Sequence, residues 1–261
     1  MLIAFGNEHL KNMALNTRKY EIFSLNCRSI NRNWKSLKVL LLPCIPNCKI
    51  LALSETWLNV PETVDARRQQ EENYALDGYK VCLTNHGKGK GLATYYKADE
   101  FQLIQEINQY AIQIVKLRCN QFDFIHVYRS KSYSLQILAY DLQALVDDHK
   151  LTIICGDFNE CAIKQPDNTL LNALHDKGFC QIVKNPTHDA GGCLDLVFFK
   201  KHSTLVSVVS VQKCHVHFSD HHGIVIHLKI DDQEKIVQQD DGKEKITILG
   251  KFRRKFCTMA S

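Results

Sequence analysis

Four short hydrophobic stretches of this chain carry an acid or an amide at one end. This feature limits the classes of fold that the chain can adopt. The four polar residues are Asn26, Glu55, Asp157 and Asp195. Stretches of this length, bounded by polar or turn-forming residues, are typical of buried β-strands. Because α/β folds place their chemistry at strand ends, we expect these four side chains to converge at one end of a sheet.

The rest of the pattern indicates a domain in which strands and helices are mixed. Helices are predicted to begin at 37–42 and to span 134–149 and 168–177, the last of them closed by Gly178. The polar segments 28–34 and 58–78 are predicted to form a turn and a surface loop. Strands are predicted over residues 21–26, 49–54, 79–84, 92–97, 101–106, 111–118, 122–128, 151–157, 194–199, 204–211 and 224–230.

The length and composition favour one folded domain. The chain has 261 residues, of which 45% are hydrophobic and 23% are charged, as in ordinary globular proteins. We predict a domain over residues 20–230, an N-terminal extension over 1–19 and a charged C-terminal tail over 231–261. A monomer is expected.

The cysteines and the apolar stretches indicate an intracellular protein. Eleven cysteines are an odd count, and they form no CxxC pair, so a disulfide framework is disfavoured and most of them are interpreted as small core residues. The chain carries no recognisable secretory signal and no apolar stretch long enough to cross a bilayer. We therefore expect an intracellular, nuclear protein without a membrane partner.

A site for a hard divalent cation is predicted at the converging strand ends. Glu55, with Asp157 or Asp220, would supply the carboxylate oxygens that Mg²⁺ prefers, with Mn²⁺ as a substitute. Gly156 would let the chain turn sharply and let a phosphate approach Asp157 and Asn159. The alternative is that GDFN (156–159) is an ordinary turn, since Asp and Asn are favoured turn residues.

Asp195 and His221 form the second candidate pair. A carboxylate hydrogen-bonded to one imidazole nitrogen fixes the tautomer and supports the cationic ring beside a phosphate. The competing interpretation is a zinc site formed by His221 with its neighbours Cys214, His215, His217 and His222. No second ligand pair at zinc-finger spacing supports it.

Weaker candidates for phosphate contact are a tyrosine and several basic residues. Tyr128 ends a predicted strand and its hydroxyl can reach a phosphate, although such a residue is more often simply packed. The net charge of +5 favours a polyanionic partner. The basic candidates are Lys88, Lys90, Arg129, Lys131, Arg253, Arg254 and Lys255, and the alternative for each is solvated surface.

Taken in order, six short motifs resemble those of the endonuclease/exonuclease/phosphatase superfamily. They are SLN (24–26), LSETWL (53–58), VYRSK (127–131), GDFN (156–159), THDAGGCLDLVF (187–198) and SDHH (219–222). The residues of these motifs are most similar to those in the endonuclease domains of non-LTR retrotransposons, which resemble apurinic/apyrimidinic endonucleases. GKGKGLATYY (87–96) departs from the glycine-pair and apolar pattern usual at that hairpin.

The resemblance implies a fold and a set of roles. The fold would be a four-layered α/β sandwich, in which two mainly antiparallel β-sheets pack face to face with helices outside. Glu55 would hold the metal, with Asn26 nearby and Asp220 in support. Asp157 would activate or orient the attacking water, and Asn159 would help to position it. His221, oriented by Asp195, would stabilise the charge on the phosphate. Tyr128 would also contact the phosphate.

The sequence therefore predicts a metal-dependent phosphodiesterase that nicks DNA and leaves a 3′-hydroxyl. One alternative keeps the chemistry but changes the substrate to another phosphate ester, such as a phosphoinositide or a sphingolipid. The other is a nucleic-acid-binding module that has the fold without the activity.

Overall fold

Two six-stranded β-sheets form the framework of the protein. The first sheet contains β1 (Thr17–Asn26), β2 (Cys48–Ser54), β3 (Lys80–Thr84), β4 (Leu92–Tyr96), β11 (Val206–Cys214) and β12 (Gly223–Asp231). The second contains β5 (Gln102–Gln109), β6 (Ile112–Arg118), β7 (Phe122–Arg129), β8 (Leu151–Asp157), β9 (Phe179–Gln181) and β10 (Asp195–Lys200). The first has the strand order β11-β12-β1-β2-β4-β3 and the second has the order β5-β6-β7-β8-β10-β9.

The computed structural model describes residues 17–165, 168–200, 206–231, 236–240 and 243–247. Residues Arg18–Ile230 form one compact unit. A separate unit includes β13 (Ile236–Asp240) and β14 (Lys243–Thr247), which pair antiparallel. The proposed extension and tail lie largely outside the described residues, as do Arg253, Arg254 and Lys255, so the domain boundaries stay a prediction.

Alternation of side chains along the strands builds the core between the sheets. On β1, Ile22 joins a buried cluster that contains side chains of both sheets, whereas Phe23 and Leu25 join a second cluster on the opposite face. Successive residues of a strand point to opposite faces, which explains this division. Asn26 has the same parity as Ile22, so it ends β1 on the side that faces the second sheet.

The helices cover the outer faces. The second cluster is completed by α1 (Ile30–Ser36) and the π-helical turn Leu37–Leu41, which contribute Ile30 and Leu37. The leucines of α3 (Leu135–Leu145) and α4 (Thr169–Asp176) pack against the second sheet. This arrangement confirms the predicted four-layered sandwich with two mainly antiparallel sheets. Within the described residues, no helix is both long enough and apolar enough to span a membrane.

Two predictions of irregular structure are wrong. A helix, α2 (Val64–Asn73), lies in the segment predicted to be a loop, and α1 occupies most of the segment predicted to be a turn. No side chain of α2 is buried, so its sequence has no apolar period to detect. The helix begins with a Thr63 side-chain cap and carries the i,i+4 ion pairs Arg67–Glu71 and Arg68–Glu72.

The buried cysteines behave as the sequence predicts. Six described thiols are buried and unbridged: Cys27, Cys48, Cys82, Cys119, Cys155 and Cys193. Burial raises the pKa of several of them, including Cys155, to about 12. These side chains are therefore neutral core residues at physiological pH.

Candidate active site

Strand register brings the predicted polar residues to one end of the two sheets. In the second sheet, Tyr128 of β7 and Asp195 of β10 lie on either side of Asp157 at the end of β8. In the first sheet, β1 and β2 are parallel, so Asn26 pairs with Ser54, and Glu55 follows directly. The structure thus places side chains that are far apart in sequence at neighbouring strand ends.

A hydrogen-bond network joins the two sheets through buried side chains. The amide of Asn26 donates from Nδ2 to Oδ2 of Asp157 over 2.8 Å, and Nδ2 lies 3.4 Å from Nε2 of His221. The other nitrogen of His221, Nδ1, lies 2.8 Å from Oδ2 of Asp195. Asn26 accepts the backbone N–H of Arg28 at Oδ1, which fixes the orientation of its amide.

The GDFN segment joins a strand end to a bend that holds its carboxylate in place. Gly156 and Asp157 are the last residues of β8, and the chain bends at Asn159. Gly156 has φ of 145° and Asn159 has φ of 50°. The backbone N–H of Asn159 donates to Oδ1 of Asp157 over 2.9 Å, and its side chain donates to the Arg129 carbonyl over 2.9 Å. The turn residues of the alternative interpretation are thus limited to the end of the segment, where they support Asp157.

Arg129 is buried beneath this segment and holds it through hydrogen bonds to backbone carbonyls. The interpretation of Arg129 as a contact for a nucleic-acid backbone is therefore wrong. The side chain is buried, and Nη1 donates to the Phe158 carbonyl over 2.6 Å while Nε donates to the Tyr133 carbonyl over 2.8 Å. Burial lowers the pKa of the guanidinium, against the opposing charges of Glu160 and Asp157. A sequence pattern cannot reveal a cation whose partners are backbone carbonyls.

Replacing Arg129 by Met is expected to slow a reaction at this site by at least about tenfold, because small displacements of positioned groups are costly to catalysis. The free energy of unfolding should also fall by about 2 kcal/mol, since buried carbonyls lose their donors. Initial reaction rates and urea unfolding measure the two effects. The matched control is Arg68→Met, whose side chain is 80% exposed. If Arg129→Met and Arg68→Met had the same reaction rate and the same unfolding free energy, the hydrogen bonds of Arg129 would have no role in catalysis or stability.

His221 is held as a cation by the carboxylates around it. Burial alone would lower its pKa, but the charge and hydrogen bond of Asp195, together with Asp157 and Asp220, outweigh burial and raise the pKa to about 9. Asp195 is positioned in turn by its neighbours, because Oγ1 of Thr187 accepts the backbone N–H groups of Leu194 and Asp195, each over 3.0 Å. The imidazolium is a suitable group to face a phosphate.

Asp220 lies beside two residues that the sequence analysis did not identify. Its Oδ2 forms an ion pair with Arg28 and lies 3.5 Å from Nε2 of His188. The ring of His188 packs edge-on to that of His221, with centroids 4.7 Å apart. Both residues fall inside or next to the quoted motifs, but nothing in those motifs indicates that they meet at Asp220.

Glu55 and Tyr128 border the network on the other side. Glu55 has φ of 52°, and its Oε2 accepts the indole N–H of Trp57 over 3.1 Å. Burial raises the pKa of the Tyr128 hydroxyl, with Glu55 and Asp157 adding to the rise. That hydroxyl donates its one proton to the Gly89 carbonyl. Tyr128 therefore anchors the loop that carries Gly89, and its contact with phosphate stays a prediction.

The carboxylate oxygens of this site suit a hard divalent cation, whereas the protonated ring of His221 has no lone pair to offer a metal. Among the described residues, two groups of three have ligand atoms within 4.8 Å of one another: Asp157, Asp195 and His221, and His188, Asp220 and His221. Glu55 belongs to neither group. Oδ1 of Asp195 and Oδ1 of Asp220 are buried, and neither has a hydrogen-bond partner among the described residues. Burial, reinforced by Asp195 and Glu55, raises the pKa of Asp157, and a cation among these carboxylates would oppose that rise.

The zinc alternative finds no support in the geometry. His221 directs Nδ1 at Asp195, His217 packs against Phe218, and His215 packs against His222. In the part of the chain that the structure describes, neither group of potential ligands includes Cys214, His215, His217 or His222. The five residues proposed for zinc are therefore not assembled into one site.

Comparison with known proteins places this arrangement in a class. The chain matches the model of the Endonuclease/Exonuclease/phosphatase family over residues 23–221, which is well over half of its length. The protein belongs to that family, whose members are metal-dependent phosphoesterases. The resemblance seen in the motifs is thereby confirmed. No curated protein matches the chain.

Several solved structures share the fold. The endonuclease domain of TRAS1, a telomere-specific non-LTR retrotransposon, has a TM-score of 0.59 at 16% identity, covering 82% of this chain and 100% of that domain. An AP endonuclease from Archaeoglobus fulgidus has a TM-score of 0.57 at 15% identity, covering 79% of this chain and 98% of its own. The 3′ phosphatase NExo from Neisseria, bound to a product DNA hairpin, has a TM-score of 0.57 at 14% identity, covering 79% and 98%.

Proposed function

We propose that this protein is a Mg²⁺-dependent endonuclease of the retrotransposon type, which nicks DNA and leaves a 3′-hydroxyl. The observation that carries the proposal is a buried cluster in which Asn26 donates to Asp157, His221 donates to Asp195, and Nε2 of His221 lies beside the Asn26 amide. It places a carboxylate and an imidazolium beside each other at the meeting point of two sheets. In-line hydrolysis of a phosphodiester needs a proton acceptor for water and a cation for the phosphate charge.

The cation and its ligands form the first part of the mechanism. Glu55, Asn26 and Asp220 would hold Mg²⁺, with Mn²⁺ as a substitute. When bound, the ion supplies charge neutralisation at the phosphate. Oδ1 of Asp220 lacks a partner among the described residues, which supports its role as a ligand.

The second part is the transfer of a proton and the stabilisation of charge. Asp157 accepts a proton from the attacking water, and Asn159 positions that water from the same turn. His221 donates from Nε2 to a phosphate oxygen while Asp195 orients the ring through Nδ1. The new bond joins the water oxygen to phosphorus, the bond to the 3′ oxygen breaks, and that oxygen takes up a proton from solvent water to become the hydroxyl.

DNA as the substrate is supported by the comparisons and the charge. Similar structures include AP endonucleases and TDP2 from D. rerio complexed with a single-strand DNA product. The formal charge of +5 favours a polyanion. A nuclear location and a monomeric state stay predictions.

The chemistry of the product ends tests this proposal. A labelled DNA duplex is incubated with the protein and Mg²⁺, and the fragments are offered to a DNA polymerase and to a ligase. Extension of the upstream fragment and ligation of the downstream one are expected, because cleavage leaves a 3′-hydroxyl and a 5′-phosphate. Hydrolysis of a phosphoinositide or sphingolipid with no DNA cleavage would favour the other phosphate-ester substrates. Binding without cleavage of any substrate would favour a non-catalytic module.

A further inference from the structure

A short basic loop is attached rigidly to the edge of the candidate site. It connects β3 to β4, and the backbone N–H of Trp57 donates to the Lys90 carbonyl over 2.9 Å. Tyr128 donates to the Gly89 carbonyl from the other side. Gly91 packs so closely that an added Cβ would lie 2.3 Å from Oγ1 of Thr56. The loop therefore has a fixed position next to Glu55 and Tyr128.

Each of the two lysines in this loop lies over an aromatic ring of a neighbouring segment. Nζ of Lys90 lies 3.9 Å from the ring centroid of Tyr110, and Nζ of Lys88 lies 5.9 Å from the ring of Trp57. Neither lysine forms an ion pair with any carboxylate that the structure describes. Tyr110, in the turn between β5 and β6, is 66% exposed. The Tyr110 ring also meets His86 edge to face, with centroids 6.1 Å apart, and still leaves most of its surface in solvent. We call Trp57, Lys88, Lys90 and Tyr110 the rim.

We propose that the rim binds unpaired nucleotides of the DNA strand next to the scissile phosphate. The lysine ammonium groups contact backbone phosphates, and a base stacks on the open part of the Tyr110 ring. Positive charge that follows the backbone and aromatic rings that stack on bases are the two elements of single-strand recognition. A base can lie flat on a protein ring only when it has left the stack of the duplex.

This inference deepens the proposed function and rests on it for the position of the cleaved strand. It names a substrate class, which is DNA with unpaired nucleotides beside the site of cleavage, such as a bubble or a junction between duplex and single strand. The departure of GKGKG (87–91) from the usual glycine-pair pattern supplies the two lysines. Fully paired DNA would meet the lysines but would not occupy the ring of Tyr110.

Binding without cleavage tests the rim. Fluorescence anisotropy in EDTA compares one labelled duplex with the same duplex containing an internal unpaired bubble. Wild-type protein is expected to bind the bubble more tightly, and Tyr110→Ala should lose about tenfold in affinity for the bubble while keeping its affinity for the duplex. Tyr110→Phe keeps the ring and should bind like wild type. The double variant Lys88→Ala, Lys90→Ala should weaken binding to both DNAs and reduce its salt dependence.

Matched surface controls separate the rim from general effects. Tyr140→Ala removes a tyrosine that is 74% exposed on α3, and Lys177→Ala removes an exposed lysine after α4. Both should bind like wild type. Wild-type affinity of Tyr110→Ala for the bubble, or no binding of either DNA by folded wild-type protein, would overturn the inference. Because the assay needs no cleavage, an inactive protein that prefers the bubble would contradict the proposed endonuclease but not the rim.

Discussion

Replacement of Asp157 by Asn is expected to reduce the rate of DNA nicking by at least about 100-fold, the usual contribution of a positioned acid or base. The side chain keeps its size but can no longer accept a proton from water. It loses one of two short hydrogen bonds, because Oδ1 and Oδ2 accept from Asn159 and Asn26 at present. The substitution also removes a buried negative charge, which burial and the nearby Asp195 disfavour. This gain offsets the loss of the hydrogen bond.

The fold of the Asp157→Asn variant should therefore survive, with a change in unfolding free energy below about 2 kcal/mol. Urea unfolding in the presence of chelator measures the stability, and plasmid nicking with Mg²⁺ measures the rate. Asp176→Asn is the matched control, since that side chain is 83% exposed on α4. Full activity of the Asp157→Asn variant would show that Asp157 does not accept the proton of the attacking water.

Replacement of Gly156 by Ala is expected to have the largest effect on stability. A Cβ at this position would lie 1.8 Å from the Val127 carbonyl oxygen of the neighbouring parallel strand. The residue also has φ of 145°, which an L-residue adopts only with strain. Since backbone on both sides must move, we expect a loss of at least about 3 kcal/mol, or failure to fold.

The control for this substitution is Gly192→Ala, whose Cβ would meet Leu194 at an ordinary 3.5 Å. Its unfolding free energy should stay within about 1 kcal/mol of wild type. The midpoint of urea unfolding compares the three proteins. A Gly156→Ala variant as stable as the control would show that β7 and β8 are not as close as described.

The strand ends were predictable because the signal is local. A buried run followed by a polar residue predicted the positions of Asn26, Glu55 and Asp157, and the parallel register of neighbouring strands then determined which of them meet. The amphipathic helix at 134–149 was visible for the same reason, although the structure limits it to Leu135–Leu145. Apolar periodicity reports which face of an element is buried.

Long-range partners were not predictable from such patterns. Arg129 was interpreted as surface charge, yet it is buried against backbone carbonyls that have no sequence signature. Arg28 and His188 meet Asp220 across the fold, and only tertiary contacts bring them together. The helix α2 was missed because none of its side chains is buried, so its sequence carries no apolar period.

The most direct measurement is nicking of supercoiled plasmid by the wild-type chain with Mg²⁺, before and after addition of EDTA. We predict conversion to open circles that stops with chelator and returns when excess Mg²⁺ is restored. His221→Ala should abolish it, whereas His175→Ala, with its side chain 80% exposed, should not. Nicking that persists in EDTA or in His221→Ala, or no nicking by folded wild-type protein, would contradict the proposed metal-dependent endonuclease.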